Sequence, residues 1–77
     1  MLTVEEEKEF KKLLKRIGRN IRKARLNRQE KQSQMSERIG INLKSYQRLE
    51  YGDFAISTRN LFRIANRMGV SVEQLVS

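Results

Sequence analysis

From Gln32 to Gly52 the chain reads QSQMSERIGINLKSYQRLEYG, and the spacing of its apolar residues divides it into two short helices. Met35 and Ile39, four residues apart, mark the inward side of a helix over Gln32–Ile39. Gly40 ends that helix, because glycine accepts the left-handed conformation that follows a last helical turn. Ile41 supplies an aliphatic anchor at the reversal. Asn42 is a good N-cap for a second helix, running from Leu43 to Glu50 or Tyr51. Tyr46 and Leu49 are its inward pair, and Gly52 stops it. Two short helices thus meet across Gly40-Ile41-Asn42, where glycine permits a sharp change of direction.

The same punctuation continues outward in both directions. Upstream, Phe10, Leu13, Leu14, Ile17, Ile21, Ala24 and Arg25 step by three or four and share one face of a long first helix. Thr3 and Glu6 are spaced as a capping box at its start, and Glu5, Glu6 and Glu7 sit where the helix dipole favours acids. Gly18 interrupts this helix at a cost of ~1 kcal/mol, which points to close packing against it. Downstream, Ser57 caps a helix over Thr58–Met68 whose expected core side is Leu61, Phe62, Ile64, Ala65 and Met68. Gly69 closes it. Ser71 and Gln74 form a second capping box and open a short fifth helix carrying Val72, Leu75 and Val76. No stretch alternates as a strand would.

Composition excludes several classes of function. A chain of 77 residues with neither linker nor repeat folds as one unit with one modest core. Cysteine and histidine are both absent, which removes disulfides, thiolate and zinc-finger metal sites and the usual general base. No carboxylate cluster or phosphate-binding glycine loop is visible, so the chain reads as no enzyme and no cofactor is expected. No apolar run approaches the ~18 residues of a spanning helix, and Met1–Glu9 is acidic, unlike a signal peptide. A cytoplasmic setting, bacterial or phage- or plasmid-encoded, is the expectation. Seventeen Lys/Arg against nine Asp/Glu give a net charge of +8, which favours polyanionic partners. Residues 8–28 hold ten of the basic groups and one acid, Glu9. Such a run is also what a solvated helix face looks like, and charge alone does not separate DNA, RNA, an anionic membrane and an acidic protein.

The joint spacing of Gln32, Gly40, Leu49-Glu50, Gly52, Ala65 and Gly69-Val70-Ser71, with Ile17–Arg25 upstream and Leu61–Leu75 downstream, resembles the phage repressor/Cro-like (XRE-like) helix-turn-helix family. The likeness covers about residues 13–76. It implies an all-α fold: a five-helix lambda-repressor-like DNA-binding bundle over residues 13–77, preceded by an N-terminal helical extension over 1–12. With Tyr46 and Leu49 inward, Leu43, Lys44, Ser45, Gln47 and Arg48 are free to project outward, and a helix fits the ~12 Å wide major groove. The resemblance implies base contacts from Leu43, Lys44, Gln47 and Arg48. Phosphate contacts are implied for Gln32 at the start of its helix, and are expected from Lys31, Ser33, Asn42, Ser45, Tyr51 and Arg59. The competing reading of Lys44 and Arg48 is ordinary surface charge, and that of Leu43 is packing on a neighbouring helix. Arg25 and Glu50 match a structural ion pair between the first and third helices of the family.

Several residues depart from the family pattern. Gln29 stands where glycine often ends the first helix, Glu30 where an aliphatic core residue is usual, and Lys31 where a hydroxyl caps. Ser36 stands where alanine packs, and Ile56 where proline is frequent. The path over residues 28–32 is therefore open: a longer first helix or a looser turn fits equally. The expected partner is double-stranded DNA with an approximately palindromic operator, bound by a homodimer. Val72, Leu75 and Val76, or Phe10 and Leu14, are candidate dimer surfaces. Two other classes compete: an antitoxin or protein-binding module, with a partner such as a toxin or antirepressor, and a basic helical bundle for RNA or a membrane surface.

Overall fold

The computed structural model describes all 77 residues as five helices: α1 (Val4–Asn27), α2 (Gln32–Ile39), α3 (Leu43–Tyr51), α4 (Thr58–Met68) and α5 (Val72–Val76). Local chemistry fixes most of their ends. Thr3, Asn42, Ser57 and Ser71 each accept a first-turn backbone N–H, satisfying donors that a helix start otherwise leaves orphaned. Gly40 takes φ 87° and closes α2, its N–H bonding to the carbonyl of Ser36 at 2.9 Å.

Each helix contributes to one core. Ile17 and Ile21 of α1, Met35 and Ile39 of α2, Tyr46 and Leu49 of α3, Ile64, Ala65 and Met68 of α4 and Leu75 of α5 are buried together. α1 packs on α3 and α5, α2 on α3 and α4, and α4 on α5. α1 also caps its neighbour. Asn20 Nδ2 donates to the carbonyls of Leu75 (3.0 Å) and Ser77 (2.9 Å), and Arg16 Nε to that of Val76 (3.2 Å). These bonds satisfy carbonyls that the end of α5 leaves free.

Two expectations are corrected. Phe62 is not in the core: it is 61% exposed. Leu61, Ile64, Ala65 and Met68 form the inward stripe of α4, and Phe62 lies about 100° around the helix from Leu61, past the edge of that stripe. Leu75 is fully buried, so α5 turns its largest apolar side chain to the core and not to a partner. The connection after α1 is a tight turn. Gln29 adopts φ 58° in the glycine-like position, and Glu30 takes a polar role. Its carboxylate accepts from Arg28 Nε (2.9 Å) and from Arg38 Nε (3.2 Å) and Nη2 (2.7 Å). Those bonds, Arg38 first, hold the Glu30 carboxyl below its usual pKa.

Residues 1–12 are exposed along their whole length, and Leu13 is the first partly buried position. α1 nevertheless continues without a break through both parts.

Gly18 is where α1 meets α3 most closely. A Cβ placed there would lie 2.5 Å from the Glu50 carbonyl oxygen and 2.7 Å from that of Leu49. Both are backbone atoms, so neither can swing aside. Alanine is intrinsically the better helix former by ~1 kcal/mol, but here overpacking wins. Gly18→Ala is expected to destabilise the fold by about 1–3 kcal/mol, read as a lower melting temperature; an unchanged or raised value would refute the close approach.

Candidate nucleic-acid interface

The outward surface of α3 is set by what its inward side holds. Tyr46, Leu49 and Glu50 are buried, and Glu50 is a charged group that must be fully bonded to stay there. Its carboxylate accepts from Arg25 Nε at 2.6 Å and Nη2 at 3.1 Å, a bidentate pairing. Gln32 Nε2 donates to the same carboxylate at 3.1 Å, and so does the Tyr46 hydroxyl. α1, α2 and α3 therefore converge on one carboxylate. Burial alone would raise the Glu50 pKa, but hydrogen bonds from Arg25, Tyr46 and Gln32 outweigh it and hold the group ionised below the usual carboxylate range. The Arg25 guanidinium is correspondingly raised by its bond to Glu50. Burial, then the bond to Glu50, drives the Tyr46 phenol upward, so it stays neutral and donates.

Opposite this anchor, Leu43, Lys44, Gln47 and Arg48 are all exposed. Leu43 is 40% exposed at the first position of α3. The Asn42 side chain accepts from the Ser45 N–H at 2.8 Å, which occupies the Asn42 oxygen and leaves the Ser45 side chain half-buried. Lys44 and Arg48, four apart, lie on one strip of the helix. Arg48 is not free. Its Nη2 donates to the Asp53 carbonyl at 3.0 Å, its Nε lies 3.7 Å from the Asp53 carboxylate, and the guanidinium carbon sits 5.6 Å from the centre of the Phe54 ring. The loop after α3 thus holds this arginine by a hydrogen bond, a charge and a π face.

Gln32 is also engaged internally. Besides donating to Glu50, its Oε1 accepts from Gln47 Nε2 at 3.2 Å, so one chain of amides runs from the buried ion pair to the outer face of α3. Sequence reasoning placed Gln32 and Glu50 at separate tasks and missed this link, along with the roles of Tyr46, Asp53 and Phe54. The start of α2 is distinctive for another reason. Its cap, Lys31, has no acceptor side chain, and Gln34 Oε1 instead accepts the Lys31 N–H at 2.8 Å. The first-turn N–H groups of Gln32 and Ser33 remain available there, beside the exposed Lys31 and Ser33 side chains. Tyr51 (81% exposed) ends α3, and Arg59 lies exposed in the first turn of α4. The acidic side chains form no cluster able to hold a metal ion, and no helix is long and apolar enough to cross a membrane.

Two buried-core helices joined by a glycine turn, the second presenting a polar outer strip, define a helix-turn-helix unit. Residues 21–75 match the family model described as Helix-turn-helix, and the chain belongs to that family, in its phage repressor (XRE-like) form. Among curated proteins, it is similar to the cryptic phage CTXphi transcriptional repressor RstR of Vibrio cholerae serotype O1 (strain ATCC 39315 / El Tor Inaba N16961). The two are 39% identical over 44 residues, which are 57% of this chain and 39% of the relative. The chain thus spans about two-fifths of the length of the curated relative it matches. No solved structure matches.

The Glu50 network predicts how stability responds to acid. A carboxyl whose pKa is lower folded than unfolded contributes stability above its unfolded pKa of ~4.3 and loses it as pH falls through the folded value. Wild type should therefore lose this contribution below about pH 4. Glu50→Gln, which leaves Arg25 buried without a counter-charge, is expected to lower stability at pH 7 by about 3–5 kcal/mol. The gap in melting temperature between the two proteins should narrow towards pH 3, and a gap independent of pH would contradict the assignment.

Proposed function

We propose that this chain binds double-stranded DNA as a transcriptional regulator of the repressor kind, with α3 lying in the major groove. The observation that carries this reading is the division of α3 into two faces. One is locked by Tyr46, Leu49 and the Glu50 carboxylate, and the other offers Leu43, Lys44, Gln47 and Arg48 on a rigid rod. Lys44 and Arg48 donate to acceptor edges, and Arg48 has the fork geometry that matches guanine O6 and N7. Leu43 can offer apolar contact to a thymine methyl. Reaching a base requires Arg48 to exchange Asp53 for it, so the loop carboxylate competes with the duplex for the same guanidinium.

Phosphate contacts are assigned to the start of α2, where the N–H groups of Gln32 and Ser33 and the Lys31 ammonium face outward, and to Asn42, Ser45, Tyr51 and Arg59. For Gln32 this revises the expected role: its side-chain amide is committed to Glu50 and Gln47, and its backbone N–H makes the contact. The net charge of +8 supplies the sequence-independent part of binding. The repressor among the relatives supports the regulatory half of the proposal. Two copies would place two recognition helices about 34 Å apart on an approximately palindromic operator.

Selection from random duplexes with the purified protein tests the reading directly, since it returns site, symmetry and spacing together. Arg48→Ala should weaken binding by about 1–3 kcal/mol and flatten preference at one base position per half-site. Lys31→Ala should weaken all sequences evenly and reduce the salt slope by about 0.9. No enrichment by wild type, equal affinity for single-stranded RNA, or an Arg48→Ala preference indistinguishable from wild type would each overturn it.

A further inference from the structure

α1 does not end where the core ends. Val4 to Lys12 is helical, yet none of the side chains of this arm is buried. Glu7, Phe10 and Lys11 flank the Tyr51–Ala55 segment across a shallow hollow, and the residues of the arm before them lie out in solvent, with the helix start fixed by Thr3 and Glu6. Its chemistry differs from the rest of the chain. Glu5, Glu6, Glu7 and Glu9 face one base, Lys8, so the side chains of residues 1–9 carry −3 (one base less four acids) within a protein of +8. The arm also exposes Leu2, Val4 and, in part, Phe10.

The outward face of α4 has the opposite character. Arg59, Arg63 and Arg67 recur every four residues, a charge of +3, and no acid occurs anywhere between Asp53 and Glu73. Phe62, the most exposed aromatic of the bundle's helix faces after Tyr51, stands among them. Together with Asn66 these residues line a shallow hollow of about 400 Å³. The Arg63 Nε–H is buried and has no acceptor within the chain.

We propose that the acidic arm of one copy packs against the α4 face of a second copy, reciprocally about a two-fold axis. This deepens the two-copy part of the function proposed above and rests on no DNA contact. Charge decides among the possible pairings. α4 against α4 would oppose three arginines with three, and arm against arm would oppose four acids with four, both costly juxtapositions. Residues 1–9 of the arm set −3 against +3 and bring Leu2 and Val4 to the exposed Phe62 ring, while Lys11 and Lys12, which reduce the charge of residues 4–12 to −1 (three bases less four acids), lie beyond that acidic stretch. The acidic part of the arm, Val4–Glu9, is about 9 Å of helix and fits within the about 13 Å of Arg59–Arg67. Two-fold symmetry uses the contact twice, so neither copy keeps an uncovered arm.

Sedimentation equilibrium of the full chain without DNA, at about 50 mM salt where surface charges are weakly screened, tests this. Wild type should show a concentration-dependent dimer that weakens markedly at about 0.5 M salt. Glu7→Lys with Glu9→Lys, and separately Arg63→Glu with Arg67→Glu, should each weaken dimerisation by about tenfold or more. One chain carrying all four changes should recover it, because each reversed arm then meets a reversed α4. Circular dichroism monitors folding; if the α4 pair unfolds the protein, Phe62→Ser at its exposed site and the arm pair carry the test alone, both being expected to shift the mass towards monomer. A wild-type monomer throughout, or a dimer indifferent to the arm and α4 changes, would overturn the proposal. So would an α4 pair that weakens duplex binding while leaving the mass unchanged. Sedimentation without DNA reads out whether or not the chain binds a duplex, so failure here and failure of the DNA reading are separate results.

Discussion

One buried carboxylate organises the molecule. Hydrophobic burial is non-directional, and of the ten core side chains only Tyr46 and Leu49 come from α3. Glu50 adds a directional constraint. A buried charge is tolerated only when its oxygens are fully bonded, and the four donors to Glu50 come from Arg25 on α1, Gln32 on α2 and Tyr46 on α3 itself. Any rotation of α3 that preserves the core but breaks this set leaves an ion without partners. The close approach of Gly18 to the Leu49 and Glu50 carbonyls adds a steric limit at the same end of α3. The rotation of α3, and hence the identity of its outward residues, follows from these two constraints together with the burial of Tyr46 and Leu49.

The same economy governs the acids as a whole. Of nine acidic residues, Glu30, Glu50 and Asp53 sit in ion pairs with Arg25, Arg28, Arg38 and Arg48. Four more are gathered in residues 5–9 of the arm. The positive field is therefore left unbalanced over the middle of α1, the outer strip of α3 and the outer face of α4. Net charge alone would describe a uniformly basic particle. The distribution describes a basic body carrying an acidic stretch at the start of α1, two regions of opposite sign.

Elements whose limits depend on neighbouring residues were legible in the sequence. The caps at Thr3, Asn42, Ser57 and Ser71 and the stop at Gly40 act over three or four residues, so spacing alone identified them, and with them all five helices. The Arg25–Glu50 pair followed from the family resemblance. Features that needed a third dimension were not legible. Phe62 lies one step beyond the inward stripe of α4, where a 100° increment leaves a large apolar residue equally readable as core or surface. The 28–32 connection depended on Glu30 meeting Arg38, eight residues on and in another helix. Gln32 and Tyr46 were each assigned a plausible place, the first at a DNA phosphate and the second inward, but that both bond to Glu50 is a matter of side-chain reach.

Arg48 shows why the outer strip of α3 is not four equivalent side chains. Lys44 is a flexible ammonium on an exposed stem, and any contact it makes must order that stem at a cost of up to ~2 kcal/mol in rotamer entropy. Arg48 has already lost part of that freedom, since the Asp53 carbonyl and the Phe54 ring hold its guanidinium near the surface of the helix. On the proposed function, its recognition of a base is an exchange of partners and not a capture from solvent. An exchange favours acceptors that can offer two good hydrogen bonds over those that offer one, because a single bond does no better than the Asp53 carbonyl it replaces. On the proposed function, the loop from Gly52 to Ser57, which donates no hydrogen bond to the Glu50 carboxylate, would set a threshold for what the arginine on α3 accepts, so that changes at Asp53 or Phe54 would alter selectivity through Arg48.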